Sequence, residues 1–239
     1  TYLEANRCDI TVKKPGYATF SDEGAVVVFN DCNVNVASHA GMIAGKAKIF
    51  FNNTKVDSGR NGFLLFAIGV KDGAWQIAEV TLNKCDIHTK EDLFAIKGTN
   101  AYLDLRGSNI TVDNNCLIRT EDNSTDIMAS TIAPGEDVYG IKAVFTDMEA
   151  AGDIIHGDPD RGMMVRLLHA TLKGAVQNAW LDIDPAGKWY ATADSVVALT
   201  PSSEERIDAP EGVTIIAESE SVAEHKEIIL KSGGKLVIN

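Results

Sequence analysis

Asp153, Asp158, Asp160 and Arg161 place three carboxylates beside a guanidinium in one short stretch. Clustered carboxylates can hold a divalent cation, and a basic neighbour can take a proton from an acidic sugar. A turn rich in Asp and Gly would use the same residues, because both types tolerate the dihedrals of a chain reversal. The spacing lacks the alternating ligands of a calcium loop, so the turn is the preferred reading, and no metal or cofactor is expected. The aromatic candidates are Trp75, Trp180 and the pair Trp189–Tyr190, whose flat rings can stack on sugars. Trp75 falls in an apparent insertion and is the best platform. Trp180 and Trp189 are expected to pack in or against the core.

The other reactive side chains form no known catalytic arrangement. His39, His88, His156, His169 and His225 are scattered, with neither an HExxH nor a Gly-x-Ser-x-Gly partner. Cys8, Cys32, Cys85 and Cys116 contain no CxxC pair, which argues against zinc. Cys8 and Cys32 would sit one inter-strand spacing apart if their segments stack, so a bridge is conceivable, but free buried thiols are preferred.

The elements that carry these residues follow from an internal repeat. Five segments share one register: LEANRCDITV from Leu3, VVFNDCNVNV from Val27, IFFNNTKVDS from Ile49, VTLNKCDIHT from Val80 and LDLRGSNITV from Leu103. In columns, an apolar pair (Ala5, Phe29, Phe51, Leu82 and Leu105 at its second place) precedes Asn6, Asn30, Asn52, Asn83 and Arg106. After one free position comes a small residue: Cys8, Cys32, Thr54, Cys85 or Ser108. Thr and Ser share that column with three cysteines, so it is a packing position. The polar positions are 24, 22, 31 and 23 residues apart. A second apolar run follows each motif, at Tyr17–Phe20, Met42–Gly45, Phe63–Phe66, Leu93–Ile96 and Leu117–Thr120. Period-2 alternation excludes helical repeats, and recurrence of like on like excludes an ordinary sandwich.

The predicted fold is therefore all-β: a right-handed single-stranded parallel β-helix, a solenoid with coils of about 22 residues carrying short strands. The asparagines are expected to form a buried ladder, each bonding the next coil. The 31-residue interval makes a side loop around Lys71 to Gln76. One domain is expected over residues 1–239, with regular coils over 1–120 and less regular ones over 121–212. Terminal strands and a possible cap complete it over 213–239. Phe145 and Leu167 continue the register, and Ser219 to Lys231 is either a short polar helix or a loop between strands.

The stretch ATLKGAVQNAWLDIDPAGKWYATADSVVAL, from Ala170 to Leu199, resembles the repeat units of bacterial surface β-helices of the autotransporter-passenger and adhesin type. In both, a small-any-Leu-any-Gly-Ala strand precedes a Leu-any-Ile strand and then Gly-any-Trp. The resemblance covers about 30 residues closely and most of the chain loosely. It implies a secreted or cell-surface, non-enzymatic domain, with a glycan or host surface as partner. The C-terminal membrane barrel of such proteins is absent, so a passenger would be a fragment or be anchored differently.

Two rivals stand beside this expectation. A polysaccharide lyase or glycoside hydrolase would need a groove lined with two or more carboxylates and a basic residue. The Gly-His-Gly and Arg-Ile-Lys motifs of polygalacturonase-like enzymes are missing, and Gly140-Ile141-Lys142 is only a fragment of them. A phage tail-spike segment would assemble as a trimer, and the sequence leaves the oligomeric state open. The net charge of −12 and pI near 4.8 argue against nucleic acid and anionic membrane as partners. No apolar run reaches the roughly 20 residues a spanning helix needs.

Overall fold

The computed structural model describes residues 1–67, 77–122, 140–159, 161–219 and 225–239. The described chain is all-β apart from one 3-10 turn, Glu204–Arg206, and its strands stack in parallel as a solenoid does. Each repeat contributes three strands to three ladders. The first ladder takes Tyr2–Asn6, Ala25–Asn30, Ala47–Asn52, Ile77–Asn83, Asn100–Arg106, Ile141–Thr146 and Met163–Leu168. The second runs from Asp9–Val12 to Asn109–Val112. It is followed by a four-stranded sheet of Glu149–Ala151, Thr171–Lys173, Lys188–Tyr190 and Ile207–Asp208. The third runs from Tyr17–Asp22 to Asp153–Gly157. No helix among the described residues is long and apolar enough to cross a membrane.

The register keeps the columns of the sequence. Ala5, Phe29, Phe51, Leu82, Leu105, Phe145 and Leu167 lie side by side along the first ladder. From Phe29 onward they are buried. Phe29 stacks on Phe51 at 4.7 Å, and across the interior Phe63 of the third ladder meets Phe51 edge-on at 5.4 Å. Alternation follows from the pleat: in Ala47–Asn52, Ala47, Ile49 and Phe51 point in, and Lys48, Phe50 and Asn52 point out.

The ten-residue motif is two strands meeting at a corner. The residue between the polar and small columns has positive φ in every regular repeat: Arg7 at 53°, Asp31 at 54°, Asn53 at 47°, Lys84 at 54° and Gly107 at 52°. Asp147 and His169 continue this column at 52° and 50°. One left-handed residue turns the chain from the first ladder to the second, which explains the Asp, Asn and Gly found there. The small column tucks inside the corner. Cys32, Thr54, Cys85 and Ser108 are all buried, and the Cys85 thiol and the Thr54 and Ser108 hydroxyls donate to carbonyls of the coil below. All four cysteines are free.

The asparagine ladder forms, but on the outward side of the pleat. Asn30 donates to Asn6 Oδ1 at 2.8 Å, Asn52 to Asn30 at 2.8 Å and Asn83 to Asn52 at 3.5 Å. Asn30, Asn52 and Asn83 are half-buried, not buried as expected. Asparagine falls one residue after an inward apolar position, and strand parity therefore turns it outward. The interval between Asn52 and Asn83 carries residues 68–76, outside the described residues, between strands that keep the register.

The two ends differ. In the first coil Leu3 is 51% exposed, whereas Val27 above it is 5% exposed. Near the C-terminus the first and third ladders merge in Val176–Ile183, whose start pairs with Asp153–Gly157 and whose end pairs with Met163–Leu168. The final pair is a hairpin: Lys226–Ile229 runs antiparallel to Lys235–Ile238. The sequence admits either a short polar helix or a loop between strands over Ser219 to Lys231; Lys226–Ile229 within it is a strand. Ile228 opposes Leu236 across the hairpin, and a tight turn through Gly233 at φ 96° returns the chain.

Candidate functional site

The acidic cluster read from the sequence is divided by the fold. Asp153 opens the strand Asp153–Gly157, and its carboxylate accepts the Ala175 N–H at 2.8 Å and the Asn115 amide at 3.2 Å. Asp158 follows the other end of that strand, roughly 16 Å away by extended-chain rise. There it meets Arg161 at 2.7 Å, with side chains 1% and 3% exposed. His156 lies beside them, donating from Nε2 to the Arg161 carbonyl at 2.8 Å and accepting the Thr120 hydroxyl at Nδ1, at 2.6 Å. Burial lowers the His156 pKa, which fits a neutral ring in that tautomer. Asp158, Arg161 and His156 thus form an interior polar network closed to a polymer. Desolvation offsets much of the attraction within such a pair. Asp160 and Trp75 lie outside the described residues.

A groove on the third ladder has the composition expected of a polysaccharide-cleaving site. It holds about 270 Å³ and is lined by Glu91, Asp92, Glu121, Lys97 and Arg119, among others. Each carboxylate in it is already engaged. Asp92 accepts from Arg119 Nε at 2.9 Å and from the Asn114 amide at 2.6 Å. Glu91 pairs with Arg60 at 3.2 Å and Glu121 with Lys97 at 3.4 Å. Asp92 is buried and also lies against Cys116, whose thiol is pushed up to about 12, by burial first and by this carboxylate second. The groove is a row of ion pairs that staples successive coils.

A cleft of about 530 Å³ lies on the outer face of the four-stranded sheet. Its floor follows from strand parity. Leu172, Trp189 and Ile207 are in register and point inward, fully or nearly buried, and the Trp189 indole donates to the Gly174 carbonyl at 2.9 Å. The alternate residues must then face out: Thr171 beside Lys188, and Lys173 beside Tyr190 beside Asp208. Gly174 lets the coils close here, because a Cβ on it would stand 2.0 Å from the Gly152 carbonyl oxygen.

Two turns form the rims. At Asp184–Gly187 the Asp184 carboxylate accepts the N–H groups of Ala186 at 3.0 Å and Gly187 at 2.6 Å. At the other rim Asp208 accepts from the Ser232 hydroxyl at 2.7 Å and from the N–H groups of Ser232 and Ala209, each at 2.9 Å. Burial acts to raise both carboxyls, but these donors, joined at Asp184 by the His169 N–H, outweigh it and hold both below the usual carboxylate range. They are structural anions. Lys188 and Lys231 are exposed at the cleft, Arg206 is half-buried, and Lys173 pairs with Glu149 at 3.4 Å.

The other tryptophans divide as expected in one case. Trp189 is core, 1% exposed. Trp180 is half-buried on the outward side of the first ladder, beside exposed Val196 and Ile216 in a cleft of about 280 Å³. Among the described residues no three His, Cys, Asp or Glu side chains come together as a metal site requires. The cleft around Tyr190 has no motif in the sequence, because Lys173, Lys188, Arg206 and Lys231 follow no repeat interval. The one available signal was Tyr190 itself: next to an inward Trp189, it has to face out. No protein-family model, no curated protein and no solved structure matches the chain.

Proposed function

We propose that the chain is a right-handed, single-stranded parallel β-helix that acts as a carbohydrate-binding surface domain of the adhesin type. In this reading it is exported, works at or beyond the cell surface and catalyses no step of its own. The observation that carries the proposal is the cleft around Tyr190. Its volume lies within the range of small-ligand sites, and its floor is a flat sheet face carrying one half-exposed aromatic ring with ammonium and guanidinium donors around it. A ring that stacks and donors that meet hydroxyls at its edge are what a sugar needs. The rigid stack of coils supports the reading too, since sites on strands are held more firmly than sites on loops.

A glycan microarray probed with the wild type and Tyr190→Ala tests it. The expected result is a defined set of bound glycans whose affinity falls about tenfold in the variant, the worth of one stacking contact. An empty array overturns the proposal. The composition of the Asp92–Arg119 groove favours a second reading, a polysaccharide lyase or hydrolase. Release of reducing ends or unsaturated products, abolished by Arg119→Gln, would move the function to that groove.

A further inference from the structure

The cleft around Tyr190 differs in charge from the rest of the molecule. The chain carries a net −12, yet Lys173, Lys188, Arg206 and Lys231 line this cleft against Glu205 and Asp208, with Asp184 held in its rim turn and Glu149 paired to Lys173. Asp208 accepts from Ser232 and Ala209, so its oxygens are committed to the rim turn. The groove at Asp92 and the cleft at Trp180 are instead lined by more carboxylates than cations. The acidic surface at large repels anions, so a local cation excess focuses an anionic group on one place.

We infer that the ligand of this cleft is an acidic glycan, a sugar bearing carboxylate or sulfate groups, with its ring on Tyr190 and its anion between Lys188 and Lys231. The inference rests on the glycan-binding reading above and adds the ligand class. The strand register sets the chemistry. Lys188 lies next to Thr171, two residues before Tyr190 and so on the same outward face, and Lys231 leaves the turn that Ser232 ties to Asp208. An ammonium on either side of a ring suits an anionic substituent more than a neutral hydroxyl, because charge-assisted bonds are about twice as strong as neutral ones. Arg206 donates to the Ser202 carbonyl and holds the 3-10 turn, which leaves Lys188, and Lys231 beside Asp208, as the recognition groups.

The test is equilibrium binding of the full chain to four probes: polygalacturonate, a sulfated glycosaminoglycan, a neutral galactan of matched length, and poly-glutamate. The variants are Lys188→Gln/Lys231→Gln and Tyr190→Ala; all three side chains face out, and unchanged melting midpoints confirm that the variants fold. The expected result is binding of one or both acidic glycans, weakened by salt and about tenfold or more by the lysine pair, as for loss of a charge-assisted contact. Neutral galactan bound as tightly, dependent on Tyr190 and indifferent to the lysines, overturns the acidic assignment and leaves the glycan reading standing. Poly-glutamate bound as well as the acidic glycans overturns the glycan reading, because it has no ring to stack. Acidic glycan bound equally by the lysine variant places the site elsewhere, and no binding by any probe overturns both readings.

Discussion

His88 lies between two carboxylates, with Nδ1 3.1 Å from Asp57 and Nε2 2.9 Å from Asp113, and so links three successive repeats. The bond to Asp113, then that to Asp57, raises its pKa above the ordinary value. A group whose folded pKa is raised stabilises the fold fully below its unfolded pKa, near 6.5, and loses that contribution as pH climbs through the folded value. All three side chains are about half exposed, so the contribution stays under about 1 kcal/mol. His88→Gln should therefore lower the unfolding midpoint relative to wild type at about pH 5.5 and match it at about pH 8.5. A constant gap across that range would show that the imidazolium clip has no weight. The thiols give a second test. Cys8 is exposed, whereas Cys32, Cys85 and Cys116 are buried, with the Cys85 and Cys116 thiols pushed up chiefly by desolvation. Only the thiolate alkylates. Mass spectrometry after brief iodoacetamide treatment should find one label, on Cys8, in the native protein and four in denaturant. A native protein that takes none and yields only two labels in denaturant without reductant would instead have a Cys8–Cys32 bridge.

The corner between the first and second ladders is the element that makes the repeat work, and Gly107 is its clearest instance. With φ at 52°, it sits where an L side chain is strained, although a Cβ there would find only ordinary contacts, the nearest at 3.8 Å. Gly107→Val should cost about 1–2 kcal/mol in denaturant titration, through backbone strain and not through clash. Gly107→Asn, the residue type of the corner at Asn53, should cost less than about half of that. Equal losses for the two would assign the cost to packing. At this scale the sequence carried much of the fold: the apolar columns, the period, the small column and the strand at Lys235–Ile238 were legible because each inward position repeats the surroundings of the one below it. What was hidden lay on the outward side or depended on dihedrals. The asparagine ladder was read as interior because recurrence reveals stacking but not which side of the pleat stacks. The left-handed corner was masked by Arg7 and Lys84, residue types with no preference for that region. Tyr190 was read beside Trp189 as a ring that can stack on a sugar, but the cations around it were not, because outward residues on strands of two or three residues face solvent, where no neighbouring coil constrains their type.

Along the whole molecule, stability should fall from the middle toward one end. A coil in a stack is held by its two neighbours, so a terminal coil with one neighbour has about half of the interface. The first coil shows this directly. Leu3, Phe20 and Tyr2 are 51%, 51% and 63% exposed, and Cys8 is open where Cys32 and Cys85 in the same column are 3% exposed. Among the described residues its three strands pair only with those of the second coil. At the opposite end Lys226–Ile229 folds back against Lys235–Ile238, and Ser232 is anchored on Asp208. Local opening takes least energy where the fewest apolar contacts are lost. Amides of Tyr2–Val12 should exchange with deuterium well before those of Ile77–Asn83 and Asn100–Arg106, while Lys235–Ile238 should stay protected longer than the first coil. Mass-resolved exchange of peptides from these segments distinguishes the cases. Uniform protection from Tyr2 onward would mean that the N-terminal edge is covered in solution, and a concentration-dependent gain in protection there would identify the cover as a second copy of the chain.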